Sequence, residues 1–204
     1  MPRRLFLLIV LVLAALAACR TNAILRTRAH ERDFERRYIG KPFYTAMVLR
    51  PYRSAEGYLI DLTGETAQAD TAVRAAMTIP LGTPLMLTAI HRNTILARIE
   101  GYQEVFRIRV HTEMGTMKEL AKELQLLLAT EPPLTQVRPA MRPFVARQQI
   151  ARGMSRREVY MSWGLPDKVT TASGSSGMLE EWIYYDRGMH LFLHNGFVTN
   201  WQQY

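Results

Sequence analysis

Hydrophobic and polar positions follow several different rhythms along this chain. From Leu5 to Ala18 every residue is leucine, isoleucine, valine, phenylalanine or alanine, behind Arg3 and Arg4. From Thr21 to Tyr38 apolar residues are sparse among Arg26, Arg28, Arg32, Arg36 and Arg37, which predicts a solvated tether. From Pro42 to Val110 short apolar runs alternate with turn residues: FYTAMVL, GYLIDL, PLMLTAI, TILARI and EVFRIRV. A period of two marks half-buried strands, clearest in the last run, where Phe106, Ile108 and Val110 face one way and Arg107 and Arg109 the other. These five runs predict a small antiparallel β module, a barrel or curled sheet of the SH3-like kind. The polar stretch TGETAQADTAVRAAM predicts a short helix near Thr71 to Met77.

The rhythm then changes to that of a helix. Thr116 and Glu119 form a capping box, each side chain positioned to satisfy a backbone N–H that the first helical turn leaves unpaired. Met117, Leu120, Leu124, Leu127 and Leu128 follow on one core-facing stripe. Pro132, Pro133, Pro139 and Pro143 end the helix and mark a domain boundary. A second capping box, Ser155 with Glu158, opens a helix from Arg156 to Trp163, with Met154 and Val159 as its hydrophobic staple and Gly164 and Pro166 as its stop. SGSSG reads as a flexible loop, and EEWIYYD, MHLFLH and FVTNWQ read as three strands.

Asn195-Gly196 predicts a type I′ hairpin. Its register pairs His194 with Phe197, Phe192 with Thr199 and His190 with Trp201 on one face, and Leu193 with Val198 and Leu191 with Asn200 on the other. With the helices on the leucine face, Phe192, Phe197 and Trp201 become an aromatic row and the candidate protein-binding face, covered by the β module or by another protein. The fold class is α+β: a small antiparallel β module with a helix, followed by a helix-helix-three-stranded meander. The expected divisions are residues 1–18 (leader), 19–40 (basic tether), 41–130 (β-rich module with its helix), 131–143 (Pro-rich linker) and 144–204 (C-terminal domain).

Composition narrows the function classes. With 26 Lys and Arg against 18 Asp and Glu the net charge is +8, a moderate excess that suits an anionic membrane surface or an acidic polymer. The single cysteine rules out an internal disulfide. His190 and His194 share a strand face, but at ~3.3 Å per residue they lie ~13 Å apart, too far to hold one ion, so no metal is expected. Ser173, Ser175 and Ser176 lack a nucleophile elbow, and PLGTP lacks the lysine and glycine spacing of a phosphate loop. Glu180 and Glu181 read as solvated edge charges, and Asp61, Glu65 and Asp70 as unpaired acids of a turn-rich stretch. No enzyme activity and no cofactor are expected.

The first nineteen residues have the three parts of an export leader: a positive start, an apolar stretch and a small-residue tail. The apolar stretch is shorter than the ~20 residues a spanning helix needs. Leu16-Ala17-Ala18-Cys19 resembles the bacterial lipobox, which implies cleavage between Ala18 and Cys19 and acylation of the Cys19 thiol. One acyl chain holds a protein reversibly and two or three hold it firmly. Arg20, where inner-membrane lipoproteins carry Asp, resembles the outer-membrane class. An exported chain is not expected to meet nucleic acid.

From Val145 to Tyr204, I-x-x-G-M-S-x-x-E-V, then G-L-P, EWIYY and LFLHNGFV follow the order and spacing of the SmpA/OmlA (BamE-like) domain family. The resemblance implies two helices against one side of an antiparallel sheet, a periplasm-facing position and a non-catalytic scaffold role connected with the outer-membrane β-barrel assembly machine. Trp163 stands where the family has Leu, and more than a hundred residues separate Cys19 from the domain. The expectation is therefore an outer-membrane-anchored lipoprotein scaffold in β-barrel protein assembly or envelope integrity. The alternative is a lipid-anchored periplasmic protein whose middle β module binds peptidoglycan, lipid or an acidic polymer.

Overall fold

The computed structural model describes residues 32–63, 75–91, 93–110, 117–175 and 177–203. It is α+β, with two sheets. Cys19, Ala18 and Thr116 lie outside the described residues, as does most of the helix expected near Thr71; at 75–77 the backbone forms a bridge and a bend.

The first module is a sheet of β1 (Pro42–Thr45), β2 (Tyr52–Ser54), β3 (Gly57–Asp61), β4 (Pro84–His91), β5 (Thr94–Ile99), β6 (Val105–Arg109) and β7 (Leu128–Ala129), in the spatial order β2-β3-β6-β5-β4-β1-β7. The small all-antiparallel module expected from five runs is thus corrected to seven strands. β2 and β7 are too short to show a period, and β6 returns beside β3 in parallel, pairing Ile60 with Ile108. Along β6 and the residue after it the alternation holds, because Phe106, Ile108 and Val110 are buried. They share a core with Leu87, Ile95 and the stripe Leu120, Leu124 and Leu127 of a helix, Met117–Leu127. The expected tether is corrected in part: residues 32–38 form helix α1, and Phe34 is fully buried in this core. The Met117–Leu127 helix is α2.

The second module begins with helices α3 (Arg142–Ala146) and α4 (Arg156–Trp163). The Ser155/Glu158 capping box is formed in both directions. Beyond it lies a four-stranded antiparallel sheet of β8 (Lys168–Gly174), β9 (Gly177–Tyr184), β10 (Met189–His194) and β11 (Phe197–Gln203), neighbours in chain order. The expected three strands become four because the residues before and after Ser175 pair as β8 and β9, with Gly174 opposite Gly177 and Thr171 opposite Glu180. A strand of threonine, alanine and serine has no apolar period to reveal it. Asn195 (φ 51°) and Gly196 (φ 82°) are both left-handed, as the expected hairpin requires.

The proline-rich stretch is packed between the modules. Residues Pro133–Gln136 form a 3₁₀ turn, Pro133 is buried with its ring near Gly82, and Val137 enters the second core with Val145, Val159, Trp182 and Leu191.

Candidate functional site

The most built-up polar cluster joins the two modules. Arg50 leaves the end of a buried run, Ala46 to Leu49, of the first module and reaches the loops that flank β8 and β9. Its Nη1 donates to the Leu165 carbonyl (2.8 Å) and its Nη2 to Asp167 Oδ2 (2.9 Å) and Asp186 Oδ1 (2.5 Å). The Arg50 and Asp167 side chains are 4% and 2% exposed. Asp167 also accepts from the Tyr52 hydroxyl (3.0 Å) and the Tyr185 N–H (2.7 Å). The Arg50 guanidinium lies 5.3 Å from the Tyr184 ring centre, while Arg187 stacks 4.7 Å over Trp163.

Two arginines and two aspartates make this cluster electrically neutral, which is the condition for burying charge at tolerable cost. Burial alone would lower the Arg50 pKa, but Asp167 and Asp186 outweigh it and raise it. Burial and then Asp167 push the Tyr52 hydroxyl up, so it stays a donor. Burial lowers Arg187, whose Nε is the one buried side-chain polar atom without a partner among the described residues.

The backbone tightens the same joint. The Val48 N–H donates across it to the Tyr160 carbonyl (3.2 Å), and within the second module the Tyr184 hydroxyl holds the Gly164 carbonyl (3.0 Å). Gly164 has φ 82° and ψ −169°, a region open essentially to glycine alone. A Cβ there would also lie 2.5 Å from the Val48 oxygen. A cavity of about 200 Å³ opens at the joint, lined by Arg50 and Asp167 together with Met47, Ile60, Asp61 and Leu165. Asp61 accepts from the Thr63 N–H (2.9 Å) and hydroxyl (2.6 Å). In the joint all three guanidinium nitrogens of Arg50 and both carboxylate oxygens of Asp167 are engaged. The arrangement clamps two bodies together.

The outer face of the second sheet differs from the expected aromatic row. His194 pairs with Phe197 and Leu193 with Val198, but the register then slips at Thr199, placing Phe192 opposite Asn200 and Leu191 opposite Trp201. The Thr199 hydroxyl stabilises this bulge by donating to the Phe192 carbonyl (3.0 Å). Cross-strand partners share a face, so Trp201 joins Leu191, while Phe192 and Phe197 stay on the other side. Phe197 and Trp201 are exposed and Phe192 is half-buried.

The acids expected to be solvated are paired. Glu180 is buried and receives Arg156 Nε (2.9 Å); Glu181 lies 2.6 Å from His190 Nδ1. Among the described residues no group of three or more His, Cys, Asp or Glu is placed to hold a metal.

The joint escaped the sequence reading because its members are separated by 117 and 136 positions and belong to no shared period. One sign was present: Arg50 follows directly on the apolar run AMVL, where a charge buried with its neighbours needs a partner. A comparison with family models, with curated proteins and with solved structures finds no match to this chain.

Proposed function

We propose that this chain is a cell-envelope lipoprotein, anchored in the outer membrane through acyl chains on Cys19 and facing the periplasm. In this reading it is a non-catalytic protein-binding scaffold in outer-membrane or β-barrel protein assembly or in envelope integrity. The observation that carries the reading is the leader: a short apolar run after two arginines, ending in Leu16-Ala17-Ala18 directly before the only cysteine. No helix of the described residues is long and apolar enough to cross a membrane. The order of α3, α4 and the β9-β10-β11 meander supports a BamE-like arrangement, with β8 as an added strand. The exposed Phe197 and Leu179 on the outer face offer apolar contact to a partner. Crosslinking in intact cells followed by mass spectrometry tests the role, and mass analysis of the mature chain tests the anchor. Recovery of β-barrel assembly subunits and an acylated Cys19 are the expected results; an unmodified thiol removes the localisation and the scaffold role together.

The second reading, ligand binding by the first module, has in its favour the 200 Å³ cavity at the joint, whose lining that module shares with the second. Crosslinked cell-wall fragments in place of protein subunits would select it.

A further inference from the structure

We propose that β8 is a docking edge for a second copy of this chain, the two β8 strands pairing antiparallel about Thr171 so that two four-stranded sheets join into one of eight. Sheet edges expose unpaired N–H and C=O groups, and proteins normally shorten, cover or charge them. The other edges here are managed. The first sheet ends in β2 and β7, of three and two residues. The far edge of the second sheet is covered at its start by the chain entering α4, where Gly153 N–H donates to the Val198 carbonyl (2.7 Å), Val198 N–H to Met154 (2.8 Å) and Arg156 N–H to Gly196 (3.1 Å), and the exposed remainder of β11 follows the bulge at Thr199. β8 is different. It is seven residues long and exposed throughout, and its pairing with β9 runs without a bulge. It contains no proline and no acid, and its single charge, Lys168, stands at one end.

Its sequence, KVTTASG, complements itself in that register. Thr171 meets its own copy, Thr170 meets Ala172, Val169 meets Ser173 and Lys168 meets Gly174. Threonine pairs are among the favourable cross-strand contacts. The two lysines fall at opposite ends, ~20 Å apart at ~3.3 Å per residue, so the only charge on the strand does not oppose the pairing. Met178 lies opposite Ser173 within one copy, and Val169 would lie opposite the same serine from the other. Val169 and Met178 are both exposed in the single chain. Pairing sets them on the same face on either side of a small residue, over which they can meet. The contact is isologous and therefore closes at two copies instead of propagating. A lone strand pair buries less than the ~1,600 Å² of a standard interface, so association in solution is expected to be weak. It gains strength where copies share a membrane plane, a gain that rests on the anchoring proposed above.

The test uses the full chain in detergent and in intact cells, with Thr171→Cys as the reporter on the two-fold axis. Mild oxidation is expected to give a disulfide-linked dimer of Thr171→Cys, at least tenfold above the parent chain and above Thr135→Cys, an exposed control outside the sheet. Thr171→Lys, which sets two charges face to face, is expected to weaken self-association in sedimentation at least tenfold while the melting temperature stays unchanged. No excess dimer with Thr171→Cys overturns the proposal, as does undiminished association of Thr171→Lys. Protection of β8 from hydrogen exchange by a different protein, with this chain monomeric, overturns it in favour of another occupant. The detergent arm does not depend on where the chain resides, so its failure is separable from failure of the anchoring reading.

Discussion

Two ion-pair networks use the same chemistry in this molecule and differ in how deeply the cation is buried. At the joint, Arg50 and Asp167 are both shut away from water. At the start of α4, Glu158 is buried, but its partner Arg138 is 51% exposed, and the buried Glu180 is met by an Arg156 that is 41% exposed. Breaking a fully buried pair strands an uncompensated charge, at about 3–5 kcal/mol, whereas a pair with one solvated member can relax into water. The first network therefore decides whether two modules are one body, and the second tunes how one helix begins.

The largest expected effect follows from removing one partner of the joint. Asp167→Ala leaves Arg50 with a reduced set of acceptors and takes a partner from Tyr52 and the Tyr185 N–H. A loss of about 3–5 kcal/mol is expected in denaturant unfolding, together with easier proteolysis between the modules. A near-parental midpoint would mean that the pair does not bind the modules together. The backbone counterpart is Gly164→Ala. Its positive φ and the Val48 oxygen act in the same direction, and about 2–4 kcal/mol is expected, measured by the same transition. If Gly164→Ala were neutral, the approach of the two backbones would have to be looser than described.

Acid separates the networks next. Burial would raise the Glu158 carboxyl, but hydrogen bonds from Arg138 and from the Ser155 backbone and hydroxyl outweigh it and hold it down to about 2, below its ordinary 4.5. A carboxyl depressed by folding stabilises the native state fully above its unfolded pKa. That contribution is lost as the pH falls from about 4.5 through about 2. It amounts to about 2–3 kcal/mol, given the partial exposure of Arg138. Unfolding free energies of the parent and of Glu158→Gln should converge across that interval. Parallel curves would place the acid sensitivity elsewhere. A smaller step on the same helix is Ser155→Ala, which removes the cap to the Glu158 N–H and should cost about 1 kcal/mol with the joint intact.

What the sequence made legible divides along the same line. β5 and β10 begin and end where TILARI and MHLFLH do, and the Ser155/Glu158 box is formed, because these features are written in neighbouring residues whose period or capping chemistry is local. β8 and the parallel pairing of β3 with β6 were not legible. The first carries no apolar alternation, and the second joins segments far apart in the chain, Tyr58 with Phe106, with β4 and β5 between them. The aromatic face was half legible. The turn fixed the first two pairs of the hairpin, but one extra residue at Thr199 carried Trp201 across the sheet. Period alone cannot show a bulge, since each strand still alternates on either side of it. The joint was the least legible of all, for Arg50, Asp167 and Asp186 belong to different modules and meet only where the two pack together.

The smallest expected effect on stability bears most directly on function. Phe197 is exposed, and the Arg138 guanidinium stands 5.9 Å from its ring centre. An exposed contact of that kind contributes about 0.5–1 kcal/mol, so Phe197→Ser should move the unfolding free energy by no more than that. Its backbone bridge to Ser155 does not involve the ring and should survive the change. The joint and the α4 cap would then both be intact in a molecule whose outer face has lost its most prominent apolar side chain. Reduced crosslinking of Phe197→Ser to envelope proteins, at unchanged melting temperature, is the expected outcome and would assign that face to partner contact. Full crosslinking would leave the face without a part in binding and move the search to the α3 and α4 side, where Phe144 and Leu134 are also exposed.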